Sequence, residues 1–336
     1  MDGDDQYGGH ERRPGPGRRS VTEAWRPEDD RPRMAMPGPV RVRVPSKINL
    51  HLGVGPLRED GFHELNTVYQ AISLYDELTA RRGDTLSLTM EGEGTGSLAL
   101  DGTNLIIRAV QALADYARVP AHARLHLKKQ IPLAAGLAGG SADAAAALVA
   151  CDALWGIGLS RDQLAEVAAT LGSDVPFLIY GGTALGTGHG ETISPVLVRP
   201  NSWHWVVAVA DGGLATPDVF RELDRLRAGL DGPEPIGSAD ALLAALRQRD
   251  PAVLAAALGN DLQAASVSLR PALADLLKAG LAAGACASLV SGSGPTCLFL
   301  ARDAAHAESL TAEIEASGLC RAAGPAYGPV PGARIL

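Results

Sequence analysis

The chain has 336 residues, of which 46% are hydrophobic and 20% are charged, and its formal net charge is −8. This composition is typical of a soluble, folded protein with one large or two medium domains. The negative charge argues against nucleic acid as the main partner, although local positive groups can still hold an anionic substrate.

No segment has the pattern of a membrane or secretion signal. The longest apolar stretch, residues 142–159, is rich in alanine and contains Asp143 and Asp152, so it does not predict a membrane span. The first residues are charged and polar, which argues against a signal peptide. The four cysteines form no C-x-x-C pair, so we expect a reducing compartment and no structural metal. We therefore expect a cytoplasmic protein, and its oligomeric state is left open.

Residues 1–36 differ in composition from the rest of the chain. They contain glycine-proline repeats, arginine pairs and acidic clusters without hydrophobic periodicity, which predicts a disordered tail. Met34 and Met36 stand immediately before the first predicted strand. A later translation start is therefore an alternative to any function for the tail.

The ordered pattern begins at residue 40. Alternating apolar and polar residues predict strands, and helical spacing of apolar residues predicts helices. In the first half we predict strands at 40–44, 48–54, 84–90 and 124–127 and a helix at 104–117.

Residues 132–143, P-L-A-A-G-L-A-G-G-S-A-D, follow the strand at 124–127 and open into an alanine-rich run. Gly136, Gly139 and Gly140 let the backbone turn sharply and approach a ligand. The free N–H groups and the positive end of the following helix favour an anion. The alternative is a glycine turn that only lets a helix pack, but a strand, a glycine loop and a helix in this order favour phosphate binding.

The next segments predict a second region of mixed structure. Ser160 and Gln163 form a capping box for a helix that Gly172 can end, and a tight loop at 173–176 follows. We then predict a strand at 177–180, a hairpin turn at 181–182, strands at 205–210, 288–290 and 297–301, helices at 239–248, 251–258 and 271–279, and a glycine turn at 291–296. This alternation predicts a two-domain α+β protein divided into residues 37–196 and 197–331.

Common nucleotide-binding loops do not fit the glycine segment. A Walker A loop requires a lysine after the glycines, and a dinucleotide fingerprint requires G-x-G-x-x-G, whereas this chain has G-x-x-G-G. The H-R-D and D-F-G elements of protein kinases are also missing from the sequence. A different phosphate cradle is therefore indicated.

Residues 132–141 resemble the P-x-x-x-G-L-x-x-(G/S)-S loop of the GHMP small-molecule kinases, and residues 291–296 resemble the C-terminal glycine motif of that family. Three further segments, P-S-K-I-N-L at 45–50, D-G-F-H-E-L at 60–65 and L-G-S-D-V-P-F at 171–177, are similar to the members that phosphorylate 4-diphosphocytidyl-2-C-methyl-D-erythritol. The resemblance covers residues 40–301. It implies an N-terminal domain like that of ribosomal protein S5, a ferredoxin-like C-terminal domain, ATP as phosphoryl donor, and Mg²⁺ held mainly by the ATP phosphates.

The resemblance also implies the site. Asp174 is the expected general base and Lys47 the cation that stabilises it, the alternatives being a turn aspartate and a surface lysine. Phe62 and His63 are expected to bind cytosine, with Phe220 on the opposite face, although many relatives have tyrosine in place of Phe62. The expected site residues are Lys47 and Asp174 for catalysis; Pro132, Leu133, Ala134, Ala135, Gly136, Leu137, Ala138, Gly139, Gly140, Ser141 and Ala142 for ATP; and Asn49, Phe62, His63 and Phe220 for the acceptor.

Three points about individual residues stay open. Asn49 shares a strand face with Lys47, so it is expected to reach either the acceptor diol or Asp174. Lys128 and Lys129 are expected either near the nucleotide or at a solvated strand end. The alternative functions are another GHMP kinase, acting on mevalonate, homoserine or a sugar, and a non-catalytic nucleotide sensor.

Overall fold

The computed structural model describes residues 38–197, 201–229 and 232–336. The predicted tail lies outside these described residues, as do residues 198–200 at the predicted domain boundary. Within the described ranges, no helix is both long enough and apolar enough to cross a membrane.

The described residues form twelve strands and ten α-helices. The strands are β1 (Val40–Leu57), β2 (His63–Arg81), β3 (Ser87–Gly92), β4 (Arg124–Lys129), β5 (Thr183–Thr187), β6 (Thr192–Pro195), β7 (Trp203–Val209), β8 (Gly259–Asn260), β9 (Ala287–Val290), β10 (Thr296–Ala301), β11 (Ala322–Gly328) and β12 (Arg334–Ile335). The helices are α1 (Leu105–Ala117), α2 (Gly139–Trp155), α3 (Arg161–Ala169), α4 (Val175–Tyr180), α5 (Thr216–Arg227), α6 (Asp240–Ala245), α7 (Pro251–Ala255), α8 (Leu262–Leu269), α9 (Ala272–Ala282) and α10 (Ala304–Ala316).

The strands of the described residues form two sheets. The first has the order β12-β1-β2-β4-β3, with β5 on β2, β6 on β5 and β8 on β1. The second has the order β11-β7-β10-β9. The mixed helix and sheet content confirms the α+β prediction. Because β8 and β12 come from the second half of the chain and still pair with β1, a division at residue 196 stays a prediction.

The two strands predicted at 40–44 and 48–54 are one strand, β1, which pairs with β2 over nearly its whole length. The strand passes through Pro45 because the pairing register shifts between Pro45 and Ser46. Proline cannot donate to a strand ladder and is tolerated at such an irregularity. The long pairing brings Lys47 and Asn49 beside the residues of β2.

The strand predicted at 177–180 is wrong, because these residues belong to helix α4. Pro176 occupies the first turn, where its missing N–H costs no helical hydrogen bond. A short apolar run in which nearly every residue is buried is equally compatible with a strand and a buried helix. Gly181 and Gly182 therefore join a helix to β5 instead of forming a hairpin turn. Gly172 does not end α3, whose C-cap is Thr170.

The strand, loop and helix predicted around the glycine segment are confirmed. Strand β4 ends at Lys129 and helix α2 begins at Gly139. Helix α2 is largely buried, and ten of its seventeen residues, mostly alanines, are buried. Small side chains let the helix pack closely against α1, β1 and β2. The loop before α2 therefore has a rigid base.

A buried ion triad anchors this base. The Nζ of Lys129, at the end of β4, lies 2.7 Å from Oδ2 of Asp76 on β2 and 2.7 Å from Oδ2 of Asp143 on α2. Oδ1 of Asp76 accepts the backbone N–H groups of Gln130 (2.6 Å) and Ile131 (2.9 Å). The triad thus joins the strand before the glycine loop, a neighbouring strand and the helix after the loop.

The two lysines that the sequence left open have different environments. Lys129 lies neither in solvent nor in the cavity described below, because its side chain is 0% exposed. Lys128 is the solvated strand end, 58% exposed and 2.8 Å from Glu91. Burial alone would lower the pKa of Lys129, but the carboxylates of Asp143 and Asp76 raise it overall. Burial raises the pKa of Asp143 well above its usual range.

The triad predicts that substitution of Lys129 destabilises the protein far more than substitution of its neighbour Lys128. Lys129→Met should lower the free energy of unfolding by roughly 3–5 kcal/mol, because it leaves two buried carboxylates without a cation. Lys128→Met should change it by less than about 0.5 kcal/mol. Urea denaturation measures both values, and equal effects of the two substitutions would contradict the assignment.

The pH dependence of Lys129→Met has a definite sign. Loss of the ammonium removes the charge that lowers the pKa of Asp143, so burial should raise that pKa further and the folded state should bind more protons than the unfolded state. The free energy of unfolding should then rise as the pH falls toward the pKa of an aspartate in the unfolded chain. Denaturation at several pH values checks this direction.

Candidate active site

One cavity of about 870 Å³ collects most of the expected site residues. It is lined by Lys47, Asn49 and Asp174, by residues 132–136 and 138–141 of the glycine loop, and by Phe62, His63 and Phe220. Leu137 and Ala142 do not line it, because their side chains are buried in the core. Residues from both halves of the chain therefore meet at one site.

The glycine loop presents unpaired backbone N–H groups to the cavity. The N-cap of α2, Ala138, makes no side-chain capping hydrogen bond, so the N–H groups of Gly139, Gly140 and Ser141 have no cap. The first turn of a helix favours an anion through these N–H groups and the helix dipole. Ala134 (φ 49°) and Ala138 (φ 55°) adopt left-handed backbone, which is strained for alanine. Such strain is common at ligand-binding loops.

The second glycine turn, residues 291–295, packs against the first. Oγ of Ser291 donates to the carbonyl oxygen of Gly136 over 3.2 Å. Nδ2 of the buried Asn260 donates to the carbonyl oxygens of Val290 and Gly292, both over 2.8 Å. A Cβ on Gly136, where φ is +73°, would lie 2.2 Å from the carbonyl oxygen of Ser291. This contact therefore leaves room only for glycine.

Lys47 and Asp174 face each other across the cavity. Nζ of Lys47 lies 3.8 Å from Oδ2 of Asp174. Asp174 is the N-cap of α4, but its side chain accepts no capping hydrogen bond. The carboxylate therefore does not cap α4 and lies at the cavity beside Lys47. The backbone N–H of Lys47 donates to the carbonyl oxygen of Leu137 over 3.3 Å, which ties β1 to the glycine loop.

A chain of buried side chains orients Lys47. Oδ1 of Asn49 accepts from Nζ of Lys47 over 2.8 Å, and Nδ2 of Asn49 donates to Oγ1 of Thr67 over 2.7 Å. Thr67 in turn donates to the carbonyl oxygen of His51 over 2.8 Å. The side chain of Asn49 thus bonds to the lysine and not to Asp174. Its fixed amide holds the ammonium at the edge of the cavity.

Tyr69 lies beside both Lys47 and Asp174, and the sequence analysis did not predict it as a site residue. The Nζ of Lys47 lies 5.5 Å from the centre of the Tyr69 ring, which stacks on Phe177 with centroids 5.0 Å apart. Burial, followed by the nearby Asp174 carboxylate, raises the pKa of Tyr69 well above its usual value. The phenol therefore stays neutral at physiological pH. Tyr69 pairs with Asn49 in the register of β1 and β2, so a correct hairpin register would have revealed it.

Phe62 and His63, which were expected to act as one aromatic pair, lie in two separate stacks in the wall of the cavity. His63 is buried and stacks on Phe220 with centroids 5.4 Å apart. Its Nδ1 lies 2.8 Å from the carbonyl oxygen of Gly55, and its Nε2 lies 3.3 Å from Oδ2 of Asp224. Phe62 is 60% exposed and stacks on His189 with centroids 4.9 Å apart. His189 and Asp224 had no signal in the sequence, because the turn that carries His189 and the helix α5 that carries Asp224 are distant along the chain from Phe62 and His63.

The described residues contain no group of three or more histidine, cysteine, aspartate or glutamate side chains positioned to hold a metal ion. The four cysteines are free thiols.

Two family models match the chain: "GHMP kinases N terminal domain" at residues 104–182 and "GHMP kinases C terminal" at residues 242–318. A Salinispora tropica protein named 4-diphosphocytidyl-2-C-methyl-D-erythritol kinase is 75% identical over 316 residues, which cover 94% of this chain and 100% of that protein. The chain belongs to this family of GHMP kinases. The expectations of a GHMP kinase fold and of a kinase are thereby confirmed.

Further similar proteins carry the same name or share the fold. A Nocardia farcinica protein with the same name is 54% identical over 301 residues, which cover 90% of this chain and 97% of that protein. A crystal structure of 4-(cytidine 5'-diphospho)-2C-methyl-D-erythritol kinase matches with 32% identity and a TM-score of 0.71, covering 85% of this chain and 98% of the other. Homoserine kinase from Cytophaga hutchinsonii, 19% identical with a TM-score of 0.70 over 90% and 98% of the two chains, shares the fold.

The contact between the two glycine turns predicts that a side chain at residue 136 weakens nucleotide binding and lowers stability. Gly136→Ala should raise the KM for the nucleotide by about tenfold or more and lower the melting temperature, because a Cβ would displace the backbone of Ser291. Gly102→Ala, where a Cβ meets no atom within 4 Å, is the control and should change neither quantity. Normal nucleotide binding in Gly136→Ala would contradict the observed packing.

Proposed function

We propose that this kinase transfers the γ-phosphoryl group of ATP to the 2-hydroxyl of 4-diphosphocytidyl-2-C-methyl-D-erythritol, giving the 2-phosphate and ADP. This is a step of the non-mevalonate (methylerythritol phosphate) route to isoprenoid precursors. The observation that carries the proposal is one cavity that combines an uncapped glycine loop, the Lys47–Asp174 pair and an aromatic groove. The shared name of relatives up to 75% identical supports the same substrate.

The glycine loop is the proposed phosphate site. Its uncapped N–H groups at the start of α2 match the charge and geometry of the ATP phosphates. The side chain of Ser141, at the cavity wall, is the hydroxyl that we assign to the phosphates or to Mg²⁺. Mg²⁺ commonly keeps several waters and binds through substrate phosphates, so this site suits a cation that enters with ATP. When bound, the ion would neutralise charge on the phosphates.

Asp174 is the proposed general base and Lys47 its cationic partner. Phosphoryl transfer requires the acceptor hydroxyl in line with the γ-phosphoryl group, removal of its proton, and neutralisation of the transferring charge. The Asp174 carboxylate, which makes no capping hydrogen bond to α4, accepts the proton as the alcohol attacks. Lys47, fixed by Asn49, stabilises the carboxylate and the transferring group. The neutral Tyr69 phenol adds no negative charge beside them.

His63 and Asp224 are the proposed readers of cytosine. A carbonyl oxygen only accepts, so the contact with Gly55 requires a hydrogen on Nδ1 of His63, while Nε2 lies 3.3 Å from the Asp224 carboxylate. The exocyclic amine of cytosine has two hydrogens for an acceptor such as this carboxylate. Uracil presents an oxygen at that position, which the carboxylate would repel. Phe62 and Phe220 supply the stacking surfaces on which a base can lie.

The two alternative functions, another GHMP kinase and a non-catalytic sensor, account for fewer features of the cavity. Mevalonate, homoserine and sugars have no base, so they would leave the aromatic walls and Asp224 without a role. A non-catalytic sensor would have no need of a lysine held by a buried amide opposite a free carboxylate.

The direct test is ADP release by the purified protein with Mg-ATP and 4-diphosphocytidyl-2-C-methyl-D-erythritol, in parallel with mevalonate, homoserine and galactose. Turnover on the cytidyl acceptor alone is the expected result. Turnover on another acceptor would overturn the substrate but keep the kinase site. Binding of ATP without turnover on any acceptor would favour the sensor.

Asp174→Asn should lower kcat by roughly 10²- to 10⁴-fold, the usual contribution of a general base, while nucleotide binding is retained. Asp115→Asn, on the exposed face of α1, is the matched control and should keep normal turnover. Steady-state kinetics and nucleotide titration measure the two effects. A near-normal rate in Asp174→Asn would remove this residue as the base.

Phe62→Ala should chiefly raise the KM for the cytidyl acceptor. Stacking of a base on an aromatic side chain contributes about 1–3 kcal/mol, which corresponds to a rise of about 5- to 150-fold. The KM for ATP should stay within about twofold, because Phe62 belongs to the aromatic groove and not to the glycine loop. An unchanged acceptor KM would discredit the cytosine pocket.

A further inference from the structure

Phe62 has an unusual environment for a residue expected to bind a base. It is 60% exposed at the mouth of the cavity, where an aromatic side chain would normally move among several rotamers. One face of its ring is nevertheless covered by the imidazole of His189, with centroids 4.9 Å apart and an angle of 23° between the planes. The stacking holds the ring in one orientation before any ligand arrives.

Asp60 joins both members of this stack. Its Oδ1 accepts the backbone N–H of Phe62 over 3.0 Å, and its Oδ2 lies 3.4 Å from Nε2 of His189. The N–H of Phe62, with smaller contributions from Arg58 and His189, lowers the pKa of Asp60. One carboxylate therefore fixes the backbone under Phe62 and the imidazole against its ring.

The turn that carries His189 is itself attached to the start of β2. The N–H of Leu65 donates to the carbonyl oxygen of Gly188 over 2.7 Å, and the N–H of Gly188 donates to Oε1 of Glu64 over 3.2 Å. The N–H of His189 donates to Oε2 of Glu191 over 2.8 Å. His189 thus has a fixed position relative to the segment that bears Phe62.

We propose that His189 is a positioning residue for the acceptor site, which backs one face of the Phe62 ring and leaves the other face ready for the pyrimidine of the substrate. This inference rests on the proposed function and names the residue that prepares its base-binding surface. A side chain ordered before binding does not lose its rotamer freedom on binding, so the preformed stack increases affinity for the base. The chemistry at Lys47 and Asp174 does not depend on it.

The experiment compares His189→Ala, His189→Phe and Asp60→Asn with the wild type in the ADP-release assay. Loss of one ordered side chain should raise the acceptor KM about 3- to 10-fold in His189→Ala, while kcat and the KM for ATP stay within about twofold. His189→Phe keeps an aromatic ring against Phe62 and should return the acceptor KM to within about twofold of the wild type. Asp60→Asn should give a smaller rise than His189→Ala. His126→Ala, an exposed histidine on β4, is the control and should change nothing.

Calorimetric titration with cytidine 5'-diphosphate gives a readout that does not require turnover, and it should show weaker binding to His189→Ala than to the wild type or to His189→Phe. An unchanged acceptor KM in His189→Ala, or an equal loss in His189→Phe, would overturn the positioning role while the proposed function stands. A fall in kcat without a rise in the acceptor KM would overturn it too. If the wild type neither phosphorylates the cytidyl acceptor nor binds cytidine diphosphate, the proposed function fails, and this inference fails with it.

Discussion

The geometry of the site depends on the buried contact of Lys129 with Asp76 and Asp143. This ion triad connects the end of β4, the strand beside it and the first turns of α2, so it holds both ends of the glycine loop. A buried ammonium with two carboxylates is stable only when all three stay together, because each separated charge would lose its solvation without compensation. The loop can carry strained alanines at Ala134 and Ala138 because its ends cannot move.

The remaining site is built outward from that loop by short, directional contacts. The backbone N–H of Lys47 donates to the glycine loop, and its Nζ donates to Asn49. The same Nζ lies 3.8 Å from the carboxylate of Asp174. The turn at residues 291–295, from the other half of the chain, contacts the loop through the Ser291 hydroxyl, which donates to the carbonyl oxygen of Gly136. The aromatic side chains line the same cavity as the glycine loop, so the proposed ATP and acceptor sites adjoin each other.

Local patterns predicted the parts of the site that depend on local chemistry. The glycine loop with its helix, the capping box at Ser160 and the lysine and aspartate within family motifs were all identified from short segments. The errors were of two kinds. The helix α4 was taken for a strand because its short, mostly buried apolar run shows no periodicity of polar and apolar residues. The longest strand, β2, and the helices α5, α8 and α10 were not predicted at all.

By itself, the sequence determined the glycine loop, the lysine and the aspartate on which the proposed phosphate binding and proton transfer rest, because these follow from glycine positions, helix ends and motif spacing. Only the tertiary structure decided that Lys129 is a buried anchor and not a surface cation, that Tyr69 lies beneath Lys47, and that His189 covers Phe62. Each of these contacts joins segments that are distant along the chain. Their partners depend on strand register and on the packing of loops, which no local spacing encodes.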